Sequence, residues 1–275
     1  MDEIVYLNGT YLPVSEASIS VTDRGFLFAD GVYDLVSVRH GKPLFMEAHF
    51  ARLRRSLREI NLQCPLSDAE LQNILITLQQ RNIAAERQGF YIQVTRGSES
   101  LRHHHYRTPK PTVYARLETV TPRVLSGGVS VITGQDIRWQ RCDIKSINRL
   151  ANVLFAQQAK QAQAEEFIIL QGDYVLEGST SNVFIVKDGQ IITSPLSDDI
   201  LSGITRRAVM AVADQVAPCL SRPFYVSELY AADEVWLTSS SRDITPVISV
   251  DGQSIGSGKP GPIYHQVLAA YQQAC

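Results

Sequence analysis

Lys145 sits in the stretch RCDIKSINRL. Read as a strand end, that stretch puts Arg141, Asp143 and Lys145 on one side and Cys142 and Ile144 on the other. A lysine there meets solvent, its usual place, or supplies an amine to a site. Four further constellations carry chemistry. In YVLEGSTSNVFIV a strand ends at Glu177, and the small residues Gly178 and Ser179 let another molecule come close. The ordinary alternative is a solvated loop carboxylate. In DDILSGITRRAVMAV, Ser202 is suited to cap a helix whose first amides, at Gly203, Ile204 and Thr205, would attract phosphate, although every capped helix has such amides. VWLTSSSRDITP bunches hydroxyls from Thr238 to Ser241, which alone reads as a polar loop.

The fourth constellation, VTRGSESLRHHHYR, carries Arg96, Arg102, His103, His104, His105 and Arg107 between two strands. Adjacent histidines lack the spaced ligands of a metal site, and no HExxH or CxxC partner exists, so no metal is expected. The aromatic platforms of a nucleic-acid surface are missing too. Arginine's bidentate fork instead suits a carboxylate clamp. An amine nucleophile, an acidic partner, a phosphate cradle and a carboxylate clamp are together what a pyridoxal phosphate enzyme acting on amino acids needs.

The elements that must position these groups follow from hydrophobic periodicity. EIVYLNGTYLPV reads as a hairpin around Asn8-Gly9, and strands are predicted at GVYDLVSVRH, PLFM, GFYIQVTRG and TVYARLE. In MEAHFARLRRSLREINL, Met46, Phe50, Leu53, Leu57 and Ile60 form one buried helical face, and SDAELQNILITLQQ gives a second helix with Ser67 as N-cap. The connector TVTPRVLSGG divides this part, 1–119, from a second α+β domain at 120–275 that carries Lys145. There the pattern predicts strands at VSVITG, EEFIIL, YVLEG, SNVFIVK, QIITS, EVWLTSS and ITPVISV, and helices at about 147–163, 202–216 and 261–273.

Bulk properties narrow the partners. The 275 residues are 44% hydrophobic and 20% charged, with a net charge of -2, which gives no global attraction to nucleic acid or an anionic membrane. The acidic start MDEI is unlike a signal peptide, and no stretch reaches the length of a membrane span, so a cytoplasmic protein is expected. Cys64, Cys142, Cys219 and Cys275 are scattered and read as reduced thiols.

From DRGFLFADGVYD through RWQRCDIKS, EGSTSNVF, LSGITR and LTSSSRDITPV, the chain resembles the fold type IV pyridoxal-phosphate-dependent aminotransferases, most of all those acting on D-amino acids. The resemblance implies a two-domain α+β fold with pyridoxal 5'-phosphate between the domains. It implies that Lys145 attaches to the cofactor and moves the proton between substrate Cα and cofactor C4′, and that Glu177 pairs with the pyridine nitrogen. Arg52, the amides of Ile204 and Thr205, and Ser240 would hold the phosphate. Tyr33, Arg102 and His104 resemble the carboxylate trap, whose arginine and histidine come from the neighbouring subunit, so a homodimer is implied. The reaction implied is transamination between a D-amino acid, D-alanine or D-glutamate, and a 2-oxo acid, 2-oxoglutarate or pyruvate. Branched-chain aminotransferases and aminodeoxychorismate lyases share the fold. The former usually carry a glycine where this chain has Ser179, Thr180 and Ser181, and they lack the Arg-x-His loop.

Overall fold

The structure, a computed structural model, describes residues 2–100, 102–107, 110–120 and 127–275. The expected connector at 119–128 falls largely outside the described residues. The chain forms two compact units, Met1–Thr121 with Ile144–Asn148, and Pro122–Asp143 with Arg149–Cys275. Both combine helices with a sheet, giving the α+β class. Lys145, expected with the C-terminal part, belongs to the first unit.

The first unit contains β1 (Ile4–Leu7), β2 (Thr10–Pro13), α1 (Arg24–Phe28), β3 (Gly31–Arg39), β4 (Lys42–Pro43), α2 (Met46–Glu59), α3 (Asp68–Arg81), β5 (Arg87–Thr95) and β6 (Thr112–Thr119). Its sheet is antiparallel in the order β2-β1-β6-β5-β3-β4. The β1–β2 turn is the Asn8-Gly9 hairpin, with φ of 48° and 95°. Alternate residues Val32, Val36 and Val38 of β3 and Phe90, Ile92 and Val94 of β5 bury one sheet face under Phe50, Leu53 and Leu57 of α2 and Leu71, Leu75 and Leu78 of α3. Ser67 and Glu70 close a capping box at the start of α3.

Two segments that contribute to this unit differ from the pattern their sequence suggests. PLFM is not a strand: only Lys42 and Pro43 pair, and Phe45, at φ 51°, turns the chain into α2. RCDIKS is not a strand end either. Arg141 folds back onto Asp143 at 2.9 Å, while Lys145 to Ile147 pair with β3. Tyr33 donates its amide to the Lys145 carbonyl, Ile147 donates to Gly31, and Val32 bridges Ser146. Ile144 drops into the core of this unit. These bonds leave residues 146 and 147 unable to begin the next helix, which starts three residues after the expected position.

The second unit contains β7 (Val129–Gln135), α4 (Leu150–Gln161), β8 (Glu166–Gln171), β9 (Tyr174–Gly178), β10 (Asn182–Lys187), β11 (Gln190–Thr193), α5 (Ile204–Ala213), β12 (Cys219–Ser221), α6 (Val226–Tyr230), β13 (Glu234–Ser239), β14 (Asp243–Val250), β15 (Gln253–Ser254) and α7 (Pro262–Ala274). The mixed sheet runs β12-β11-β10-β13-β14-β7-β8-β9, with β15 beside β14. The pairs β11–β12, β14–β7 and β7–β8 are parallel. Strands β8 and β10 are apolar along most of their length because both faces are covered, as Phe167 and Ile169 pack with Phe155 of α4 while Ile168 packs on the opposite side. Helix α5 begins at Ile204 with Gly203 as N-cap, so Ser202 is not the cap.

Candidate active site

In the first unit the register of β3 separates two kinds of residue. Asp34 shares the helix-covered face with the valines, and Tyr33 points to the other. Asp34 is fully buried and would be costly alone. Helix α2 answers it with two residues at helical spacing. His49 Nδ1 lies 2.7 Å from Asp34 Oδ1, and Arg52 donates Nη2 to Oδ1 at 2.7 Å and Nε to Oδ2 at 2.9 Å. Burial opposes ionisation of Asp34, but the Arg52 charge and the His49 hydrogen bond outweigh it and hold the carboxyl far below the usual range. Burial pushes His49 below its ordinary value, against the pull of Asp34 and with help from the charges of Arg52 and Lys145. Arg52 is therefore fixed in orientation by a carboxylate that its own helix does not supply.

Lys145 is pinned by its backbone. Its amide donates to Ser56 Oγ of α2 at 3.1 Å, and its carbonyl accepts from Tyr33. Its Nζ stands 4.5 Å from the centroid of the Tyr33 ring, within range of a cation–π contact. Tyr33 in turn stacks on Tyr91 at 5.6 Å, and Tyr91 donates to Gln93. Tyr33 and Lys145 thus come together.

Arg102 and His104 are exposed, and both lie against Phe28, the arginine 4.9 Å and the imidazole 5.5 Å from its ring centroid. Their loop is tied down by Arg24, which donates to the carbonyls of His103 and His104 and to Asp30. Arg96, grouped with the cationic loop by sequence, is a buried anchor instead. It donates to Asp30 and to the carbonyls of Ile60 and Asn61 at the end of α2, under the ring of Tyr106.

In the second unit Glu177 ends β9 and is buried. Its Oε1 accepts from Arg138 Nη1 at 2.6 Å, and its Oε2 from the Leu201 amide at 3.0 Å and Asn182 Nδ2 at 3.2 Å. Arg138 is held by Asp136 and the Asp199 carbonyl. Burial raises the Glu177 carboxyl, and Arg138 and the Leu201 amide oppose that rise without cancelling it. A carboxylate that favours a nearby proton is suited to face a protonated ring nitrogen. Burial also pushes the neighbouring Cys142 thiol up to about 12, leaving it a poor nucleophile.

Asn182 links Glu177 to α5, for its Nδ2 also donates to the Leu201 carbonyl, and a Cβ on Gly203 would collide with its side-chain oxygen. Glycine at the N-cap is thus a steric requirement of close approach. The N-cap of α5 is Gly203, which has no side chain to offer the amides of Ile204 and Thr205. Arg206 Nε, in that first turn, and Thr238 Oγ1 are buried with no hydrogen-bond partner among the described residues. Thr238 stands opposite Asn182 in the β10–β13 register. Orphaned buried donors and a helix start whose N-cap is glycine fit a phosphate group. Ser240 lies in the turn after β13, where Ser239 accepts from the Arg242 amide.

Asp34, His49, Arg138, Asn182 and Leu201 were not singled out from sequence. Asp34 was the most readable of them: an acid at the buried parity of a valine-rich strand calls for a cation, and His49 and Arg52 border the apolar stripe of the next helix.

Residues 31–250 match the family described as amino-transferase class IV. The D-alanine aminotransferase of Bacillus licheniformis is 38% identical over 273 residues, 98% of this chain and 96% of that protein. That of Staphylococcus aureus is 40% identical over 276 residues, 98% of this chain and 97% of that protein. Among solved structures, a branched-chain aminotransferase from Thermoproteus uzoniensis with norvaline superposes with a TM-score of 0.90 at 26% identity, covering 99% of this chain and 94% of that one.

The Asp34 cluster generates a pH dependence. A carboxyl depressed in the folded state stabilises it above the unfolded value, roughly 4, and that contribution is lost as pH falls. Asp34→Asn is expected to weaken the fold at neutral pH and to flatten the loss of stability between about pH 5 and pH 3, read from urea unfolding at each pH. A variant as acid-sensitive as its parent would remove Asp34 as the source.

Proposed function

We propose that this chain, which belongs to the class IV aminotransferases, exchanges the amino group of a D-amino acid, D-alanine or D-glutamate, with a 2-oxo acid such as 2-oxoglutarate or pyruvate. The observation that carries the substrate class is likeness at 38–40% identity over 98% of the chain to enzymes named D-alanine aminotransferase. The branched-chain structure shares the fold at lower identity, 26%.

Enzymes of this family use pyridoxal 5'-phosphate, which when bound supplies the electron sink and carries the amino group between half-reactions. Every other task falls to side chains and amides. Lys145 is the amine that would hold the cofactor and that would carry the proton taken from the substrate Cα. The Tyr33 ring under its Nζ steadies the charged form during transfer. Glu177 holds the pyridine nitrogen protonated, with Arg138 keeping the buried acid ionised. Arg52, oriented by Asp34, the amides of Ile204 and Thr205, and Ser240 hold the phosphate.

Tyr33, Arg102 and His104 receive the substrate carboxylate, the last two reaching a neighbouring copy. Their exposure in the single chain supports a homodimer. So does the exposed apolar face of α4, where Leu150, Val153 and Leu154 lie at helical spacing. A cytoplasmic location accords with the free thiols of Cys64, Cys142 and Cys219. No helix among the described residues is long and apolar enough to cross a membrane.

Turnover of D-alanine, L-alanine and L-leucine with 2-oxoglutarate tests the substrate class. D-alanine is expected to react fastest, and equal or faster turnover of L-leucine would transfer the reading to branched-chain substrates. Lys145→Ala deletes nucleophile and general base together, so steady-state turnover is expected to fall by several powers of ten while cofactor is still taken up. Near-parental turnover of that variant would overturn the role given to Lys145.

A further inference from the structure

Glu166, at the start of β8, is 2% exposed and lies among hydroxyls. Ser179 donates to its Oε1 at 2.5 Å, and Thr180 and Ser181 donate to its Oε2 at 2.6 and 3.2 Å. Arg242 Nη2 reaches the same Oε2 at 3.4 Å and Thr180 Oγ1 at 3.0 Å. The Phe167 amide completes the set on Oε1 at 3.0 Å. A carboxylate has only lone pairs to offer, so all three hydroxyl protons are committed to it. One buried group therefore fixes the turn that follows Glu177 and, through Arg242, the turn that contains Ser240.

The main chain of the first turn is secured separately. Ser179 donates its amide to the Phe167 carbonyl, and its own carbonyl accepts from Arg149 at 2.9 Å and Asn152 at 2.7 Å. Glu166 is thus not needed to keep the turn folded. What it adds is a carboxylate that ties all three hydroxyls of one turn to the guanidinium of the other, alongside the direct contact between Arg242 and Thr180.

We propose that Glu166 is a positioning residue for the cofactor, holding the Glu177 turn and the Ser240 turn in one arrangement without touching the cofactor itself. This rests on the roles given above to Glu177 and Ser240. An amide at this position would turn a donor toward a hydroxyl or toward Arg242, and the link would open.

The test is a titration of apoenzyme with pyridoxal phosphate, followed by quenching of tryptophan fluorescence and paired with thermal melting of the apoenzyme. Glu166→Gln is expected to weaken cofactor binding about tenfold, the scale of losing a hydrogen bond to a charged group. Arg242→Gln, at a partly exposed side chain, is expected to weaken it roughly threefold, and the double variant is expected to lose little more than Glu166→Gln alone, because both changes cut one link. Parental affinity in Glu166→Gln, with or without a lowered melting temperature, overturns the proposal, as do losses that simply multiply in the double variant. Should Glu166→Gln fail to fold, parental affinity in Arg242→Gln overturns it. A parent that binds no pyridoxal phosphate is a different result, for it sinks the functional reading together with this one.

Discussion

Tyr33 gives its amide to the carbonyl of Lys145, and Ile147 gives its own to Gly31. These two bonds carry a segment distant in sequence onto the start of β3. Much else follows from them. The Lys145 amine is left over the Tyr33 ring, the Lys145 amide meets Ser56 of α2, and Ile144 enters the core beneath. Strand β3 then presents its two neighbours to opposite faces, Tyr33 beside the lysine and Asp34 toward α2. In the proposed mechanism this amine forms and breaks a covalent bond and so needs a fixed base, which backbone pairing supplies more rigidly than a loop does.

The two buried carboxylates, Asp34 and Glu177, show how one physical problem receives opposite solutions. Each is sealed from water and each meets an arginine. Asp34 has a bidentate guanidinium and an imidazole, and it ends far on the ionised side. Glu177 has a single guanidinium nitrogen, one amide and an asparagine, and burial keeps its carboxyl raised. The first is a structural anion that aims Arg52. The second, in the proposed mechanism, is an anion whose appetite for a proton is itself of use.

Much of the fold was legible because its signals are local. The Asn8-Gly9 turn, the apolar stripe of α2 and the Ser67 cap each rest on neighbouring residues, and each appears where the sequence puts it. What escaped depends on partners far along the chain. The RCDIKS stretch reads as a strand by alternation, yet its shape is set by pairing with β3 more than a hundred residues earlier. Ser202 looked like a cap, but the close approach of Asn182 puts Gly203 at that position. Short elements such as α1, β12 and α6 carry too few residues to show a period. For the site, residue types in the sequence suggest a chemistry for Lys145, Glu177 and the α5 terminus, which the proposed function takes up. Arg138 and Asn182, which hold Glu177, leave no pattern in a single sequence, whereas Asp34, which holds Arg52, shows itself only as an acid at the buried parity of β3.

Borohydride reduction of the cofactor-loaded enzyme, followed by peptide mass mapping, bears most directly on Lys145. Reduction makes the covalent link to the cofactor permanent, so the phosphopyridoxyl label reports which amine formed it. The label is expected on the peptide that contains Lys145, and on that lysine alone. A label on Lys160 or Lys187 instead, or none after reduction of loaded enzyme, would contradict the assignment.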